Sequence, residues 1–266
     1  MTEQPMRGKA DIHLHTTYSD GLMTPEALVE YAATHTDLNV IAVTDHDNIE
    51  GGLVARAYAE RFADDLGGLE VIAGVEVTSA EADIVGLFMK HDVPKGLSAA
   101  ETIERIHDQG GLALAVHPYA MALESMGLSG MRGAKDLIQT LPFDAVETRN
   151  ATPTEFFTNR DTRRANQSAQ KLPETGGSDS HYIGTVGRAY TRFPGTTAAQ
   201  LRHAIQRGHV TAGGSVYSPL ILFNIAWDLF ARKLPAQALP AERAALWKRP
   251  FHSPVNARGP FGLRVG

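Results

Sequence analysis

Apolar positions along this chain switch between a period of two and a period of three to four, and the switch repeats from about Lys9 onward. Asp11-Ile12-His13-Leu14-His15 alternates, so residues 9–16 read as a strand with Asp11, His13 and His15 on one face and Ile12 and Leu14 on the other. Thr24-Pro25-Glu26 opens a helix, with Thr as N-cap and Pro at the first helical position, and Leu28, Val29 and Ala32 keep helical spacing. Val40–Thr44 is a short buried strand, followed by a helix from about Ile49 to Leu66. Val71–Val77 is the next strand, and Ala82–Met89 returns antiparallel or at an angle because only a short turn separates them. Ser98 and Glu101 form a capping box for a helix that ends near Gly110-Gly111.

Leu112–Val116 then reads as strand, Met131–Thr140 as helix, Ala145–Thr148 as strand, 157–171 as a polar helix and Thr175–Asp179 as strand. Tyr190–Phe193 adds another strand, Thr197 to Gln200 caps a helix running to about Arg207, and His209–Ala212 closes the series. About seven strand–helix units predict a parallel α/β sheet closed into a TIM-like barrel over residues 1–215.

Residues 216–266 break the pattern. Leu220–Phe230 is an apolar helix candidate too short to span a bilayer, and Pro235, Pro240, Pro250, Pro254 and Pro260 follow it. This segment carries seven Lys/Arg and two Asp/Glu, a balance of +5 against -5 for the whole chain, so the barrel portion stands at -10. It is expected to pack on the barrel or on a partner, including another copy of the chain in an oligomer. The acidic barrel argues against duplex nucleic acid. The chain has no cysteine, which removes thiolate ligands and disulfides and favours a cytoplasmic home; no leader or transmembrane segment is expected.

Composition narrows the chemistry less than the placement of 11 histidines does. Parallel barrels carry their active sites at the C-terminal ends of the strands, and the unusual polar residues fall there. His13 and His15 end the first strand, with Asp20 in the following loop; His46 ends the second; Glu76 lies among valines in the third. His117 ends the strand after Gly110-Gly111, and Asp179 and His181 end a late one. Two imidazoles at i and i+2 sit about 6.6 Å apart along a strand, within reach of one ion or two neighbours. An ionised carboxylate buried without a partner costs several kcal/mol, which a cation at Glu76 removes. These eight residues, with Asp83 as a ninth, outnumber the ligands of one ion. Imidazole and carboxylate without sulfur suit Zn, Mn or Fe. The carboxylates Asp20, Glu76, Asp83 and Asp179 balance two divalent ions; three ions leave room for a bridging hydroxide and an anionic substrate.

Asp11-Ile-His-Leu-His15, Tyr18-Ser-Asp-Gly21, Thr44-Asp-His46, Gly74-Val-Glu76, His117-Pro118 and Gly177-Ser-Asp-Ser-His181 together, in this order, resemble the polymerase and histidinol phosphatase (PHP) family over about residues 9–215. The resemblance implies a distorted (β/α)7 barrel, two or three metal ions and phosphoesterase activity. It places the family's ligands on His13, His15, Asp20, His46, Glu76, His117, Asp179 and His181, with Glu76 as the bridging carboxylate. Two departures stand out. Asp83 occupies a position where many relatives have His, and only 40 residues separate Glu76 from His117, so a covering lid is small or absent.

The implied reaction is attack of a metal-bridged hydroxide on phosphorus, with His46, Glu76 and Asp179 at the centre of the chemistry. Arg149, which shares strand parity with Glu147, and Arg188 are the candidates for binding phosphate oxygens. The expected substrates are small phosphomonoesters, nucleotides or short oligonucleotide ends. An amidohydrolase-type reaction and a non-catalytic metal-stabilised interaction module are the competing readings.

Overall fold

The computed structural model describes residues 7–120, 131–168, 171–218 and 220–221. The strands and helices belong to a compact unit spanning Met1–Tyr217. The expected helix Leu220–Phe230, beyond its first two residues, and the Pro-rich tail lie outside the described residues.

Among the described residues, nine strands form one sheet. They are β1 (Gly8–Asp11), β2 (Val40–Val43), β3 (Glu70–Thr78), β4 (Asp83–Leu87), β5 (Leu112–Ala115), β6 (Ala145–Asn150), β7 (Glu174–Gly177), β8 (Ala189–Phe193) and β9 (Thr211–Gly214). Their order is β7-β6-β5-β4-β3-β2-β1-β8-β9. Beyond its regular part, β1 continues to Leu14, which bridges Ser180 in parallel just past β7. That bridge brings the first and seventh strands together, so β1 to β7 form a nearly closed barrel. β1–β3 and β5–β7 pair in parallel, while β4 runs antiparallel to both its neighbours. The antiparallel return expected for Ala82–Met89 is therefore present, and it puts the first residue of β4, Asp83, at the rim where its neighbours end.

The last two strands depart from the parallel pattern: β8 is antiparallel to β1 and β9 to β8, and Phe193 of β8 packs in the inner apolar cluster. No α-helix links β7 to β8 among the described residues, only the 3-10 turn Ile183–Thr185, so the chain reverses instead of crossing over.

Among the described residues, five α-helices accompany the barrel: α1 (Pro25–His35), α2 (Glu50–Arg61), α3 (Ala99–Asp108), α4 (Glu155–Ser168) and α5 (Ala198–Gln206). Thr24 caps α1 by accepting from the Ala27 amide, and the capping boxes at Ser98 and Thr197 both form. The helix expected over Met131–Thr140 reduces to a 3-10 turn, Lys135–Gln139.

Apolar residues from six barrel strands meet inside the barrel. Ala10, Ile12, Val40, Ala42, Ile72, Val85, Leu114 and Ala145 pack there, with Leu201 and Ile205 of α5 beneath them. Outside, Leu28, Val29 and Ala32 of α1 and Ala55 of α2 cover Ile41 and Val43, while Ile103 and Ile106 of α3 join the cluster of Ile84 and Ala113. Each fully buried Leu, Ile or Val contributes about 1.5–3 kcal/mol by leaving water. This apolar floor supports a polar mouth.

Candidate metal centre and active site

The regular pairing of β1 ends at Asp11, and the face assignment predicted for this strand shifts there. Ile12 packs in the inner cluster with Ala10, whereas Leu14 packs outside with Leu28 and Ile41. Asp11 does not join the histidines. Its carboxylate accepts from the amides of Ser178 (2.9 Å) and Gly187 (2.8 Å), tying the chain after β7 to β1. Burial pushes this carboxyl up to about 6, against the lowering effect of those hydrogen bonds.

His13 and His15 face the mouth. His13 Nε2 lies 3.1 Å from Glu76 Oε2 and 3.5 Å from Asp179 Oδ1. His15 Nε2 lies 3.1 Å from the same Glu76 oxygen and 3.3 Å from Asp179 Oδ1. His117 Nε2 is 3.0 Å from Glu76 Oε1, and His46 Nδ1 is 3.5 Å from Glu76 Oε2. Glu76 thus reaches four imidazoles with its two oxygens. At the outer edge, Asp20 approaches His181 Nε2 at 3.1 Å and both His15 Nδ1 and His46 Nε2 at 3.8 Å. Asp83 stands behind Glu76, where its Oδ2 accepts from the Arg132 amide at 2.7 Å.

All nine predicted positions come together. They form overlapping donor groups: His15, Asp20, His46 and His181; His13, His15 and Glu76; His13, His117 and Asp179; Glu76, Asp83 and His117. His117 (φ 30°) and Asp179 (φ 52°) hold left-handed backbone conformations, which cost of order 1–3 kcal/mol when the surroundings enforce them.

Two further residues belong to this network and were missed. Glu147 of β6 receives His13 Nδ1 at 3.1 Å with one oxygen, and with the other the His117 amide at 3.0 Å and Asn150 Nδ2 at 2.9 Å. Asn150 Nδ2 also reaches Asp179 Oδ2 at 3.2 Å. With Glu147 accepting at Nδ1, a neutral His13 would keep its proton there and leave Nε2 to bind an ion. Glycine at 177 permits this: a Cβ there would lie 2.5 Å from His13 Cβ and 2.8 Å from Glu147 Oε1. Glu147 sits between Val146 and Thr148 in a buried strand, the same signal that singled out Glu76.

The two arginines are not brought to the cluster. The sheet register slips between Glu147 and Arg149, so Asn150 takes the inward place predicted for Arg149. Burial and the nearby charge of Arg163 on α4 lower the Arg149 pKa. Arg188 lines a separate cleft with Tyr31, His35 and Asp37.

Charge accumulates in the mouth. Burial alone would depress His13, yet Asp179, Glu76 and Glu147 hold its pKa well above the ordinary imidazole range. Burial likewise opposes ionisation of Glu76, but His13, His46 and His117 hold it well below the usual carboxylate range. Burial and the charge of Glu76 push Asp83 up to about 6.

Divalent ions fit this donor set. Both ring nitrogens of His15 and Nδ1 of His117 are buried without a hydrogen-bond partner, an expense that proteins rarely leave uncompensated. His15 Nε2 lies within 3.3 Å of two carboxylate oxygens. Imidazole nitrogens and carboxylate oxygens held this close together are the donor types that would hold a shared divalent ion.

The profile described as PHP domain matches residues 11–170, and one described as PHP-associated matches residues 159–210. The chain belongs to the PHP family. As a PHP protein it is a metal-dependent phosphoesterase. An uncharacterized protein of Methanocaldococcus jannaschii is 38% identical over 154 residues, covering 54% of this chain and 82% of that one. The 5'-3' exoribonuclease Rnm of Escherichia coli is 42% identical over 81 residues, 29% of this chain and 26% of the enzyme. The crystal structure of a two-domain Bacteroides vulgatus protein containing a predicted PHP-like metal-dependent phosphoesterase superposes with a TM-score of 0.63 at 17% identity. It covers 81% of this chain and 67% of that one, a likeness of fold.

Proposed function

We propose that this PHP protein hydrolyses small phosphomonoesters, nucleotides or the ends of short oligonucleotides, using two or three Mn, Zn or Fe ions held by His13, His15, Asp20, His46, Glu76, Asp83, His117, Asp179 and His181. The observation that carries this reading is the convergence of nine His, Asp and Glu side chains in overlapping donor groups around the buried His15 and Glu76. When bound, such ions activate water and neutralise charge on the phosphoryl oxygens. The chain's residues set up that chemistry. Glu76 spans the inner histidines, Glu147 fixes the His13 tautomer, Asn150 orients Asp179, and Asp20 with His181 closes the outer edge.

The loop bearing Asp20 is itself held. Asp45 accepts from the Thr16 amide and hydroxyl, both at 2.7 Å, and from the Ser19 hydroxyl at 2.6 Å. No helix of the described residues is long and apolar enough to cross a membrane, and we read the enzyme as cytoplasmic.

The test is to strip the protein of metal, restore Mn, Zn or Fe, count bound ions and assay p-nitrophenyl phosphate with a nucleotide panel. At least two equivalents and metal-dependent turnover are expected. A folded protein that takes up its ions and cleaves none of these esters overturns the reading.

A further inference from the structure

The exposed face of α4 carries chemistry that neither the metal cluster nor the core uses. Among the described residues, the large hydrophobic side chains that stand exposed are Tyr18, Phe156, Phe157 and Leu220. Phe156 is 61% exposed and Phe157 72%, and their rings meet edge to face with centroids 5.0 Å apart. Their place in the fold ties them to the barrel mouth. They lie in the first turn of α4, whose Asn159 accepts from the Asn150 amide and donates to the Asn150 carbonyl, both at 2.8 Å. They also follow closely on Asn150, which donates to Asp179.

Further along the same helix, Arg160 and Arg164 are exposed, each a helical turn beyond the last. Arg160 makes no ion pair among the described residues, and Arg164 has only a loose approach to Asp161 at 3.9 Å between two exposed side chains. The apolar part of this face ends after one turn, since positions 160, 161, 164, 167 and 168 are all polar or charged. A helix-docking surface would continue its apolar stripe. Exposed rings followed by free guanidinium groups instead combine base stacking with phosphate contacts, the pairing that single-stranded nucleic acid uses.

We infer that Phe156, Phe157, Arg160 and Arg164 form a subsite for a single-stranded oligonucleotide leading to the metal cluster, the rings stacking on bases and the arginines contacting backbone phosphates. The inference rests on the phosphoesterase reading for its chemistry, and its binding step is separately measurable. The probe is a fluorescein-labelled oligoribonucleotide of about eight nucleotides, with a duplex of the same sequence as control. Both are titrated into the full chain in chelator and followed by anisotropy.

The single strand should bind more tightly than the duplex. The double variant Phe156→Ala/Phe157→Ala should weaken that binding roughly 10- to 100-fold, and Phe156→Trp/Phe157→Trp should restore it. Arg160→Ala/Arg164→Ala should flatten the salt dependence. In metal-loaded protein, the Ala pair should lower kcat/KM for the oligonucleotide relative to that for glycerol phosphate, which reaches no further than the cluster. Circular dichroism checks the fold. Unchanged affinity in the Phe double variant, or equal binding of duplex and single strand, overturns the subsite. Binding that depends on the rings in a protein that hydrolyses no ester supports the subsite and overturns the reaction.

Discussion

The two ends of the cluster are built differently. At the inner end, the side chains of His13, Glu76 and His117 are each 1% exposed and come from strands or the residues directly after them. At the outer end, Asp20 is 59% exposed and His46 and His181 35% each, and Asp20 stands on a loop. The inner donors are desolvated and held in place by the barrel and by Glu147, so their order is set before any ion arrives. The outer donors stay in contact with water, and their order depends on the Asp45 clamp around Thr16 and Ser19. A cluster of this kind should hold an ion at its inner end more tightly than one at its outer, water-exposed end.

The largest effect expected is at Glu76. Glu76→Ala should cut turnover at least 1000-fold, on the order of 4 kcal/mol of barrier, and remove more than one equivalent of metal. Asp20→Ala should remove about one equivalent and leave the inner ions bound. Elemental analysis of the two purified proteins compares the ends directly, and equal metal loss would abolish the distinction between them.

Next comes Glu147→Gln, which keeps a side-chain acceptor but removes the charge behind His13. Inner-ion affinity should fall roughly 10- to 100-fold, read by competition with a chromogenic chelator, while thermal stability without metal should change little. A large stability loss with unchanged affinity would make Glu147 a structural residue only.

A third effect, read in stability and not in metal affinity or turnover, concerns Glu155, buried near the inner end, whose carboxyl is raised by burial from the usual 4.5 to about 7. It binds its proton more tightly when folded, so its contribution is fully present below about pH 4.5 and is lost as pH rises through 7. Glu155→Gln stays neutral throughout. Relative to the parent, it should gain about 2–3 kcal/mol of stability between pH 5 and pH 8, measured by urea unfolding of metal-free protein. A flat difference across that range would show that Glu155 does not titrate there.

Much of the site was legible because of its residue types. His, Asp and Glu at the ends of apolar strands are costly to bury unless paired or ligated, so the nine positions that the structure brings together could be named from their spacing and the order of the motifs. Arg149 failed for a local reason: the slip after Glu147 breaks strand parity, and Asn150 turns inward instead. Asp11 failed in the same way, where β1 loses its regular pairing and its carboxylate turns to the amides of Ser178 and Gly187. The capping boxes at Ser98 and Thr197 were readable because each is closed by residues three apart.

By itself, then, the amino-acid sequence determined which elements form, which faces are apolar and which side chains can bind a cation, since period and side-chain chemistry are local properties. Only the tertiary structure decided that β8 and β9 run antiparallel, that Glu147 and Asn150 brace the ligands, and that one end of the cluster is dry and the other wet. Those outcomes depend on register slips and on contacts between segments more than 100 residues apart, such as His13 with Glu147, and no local pattern encodes them.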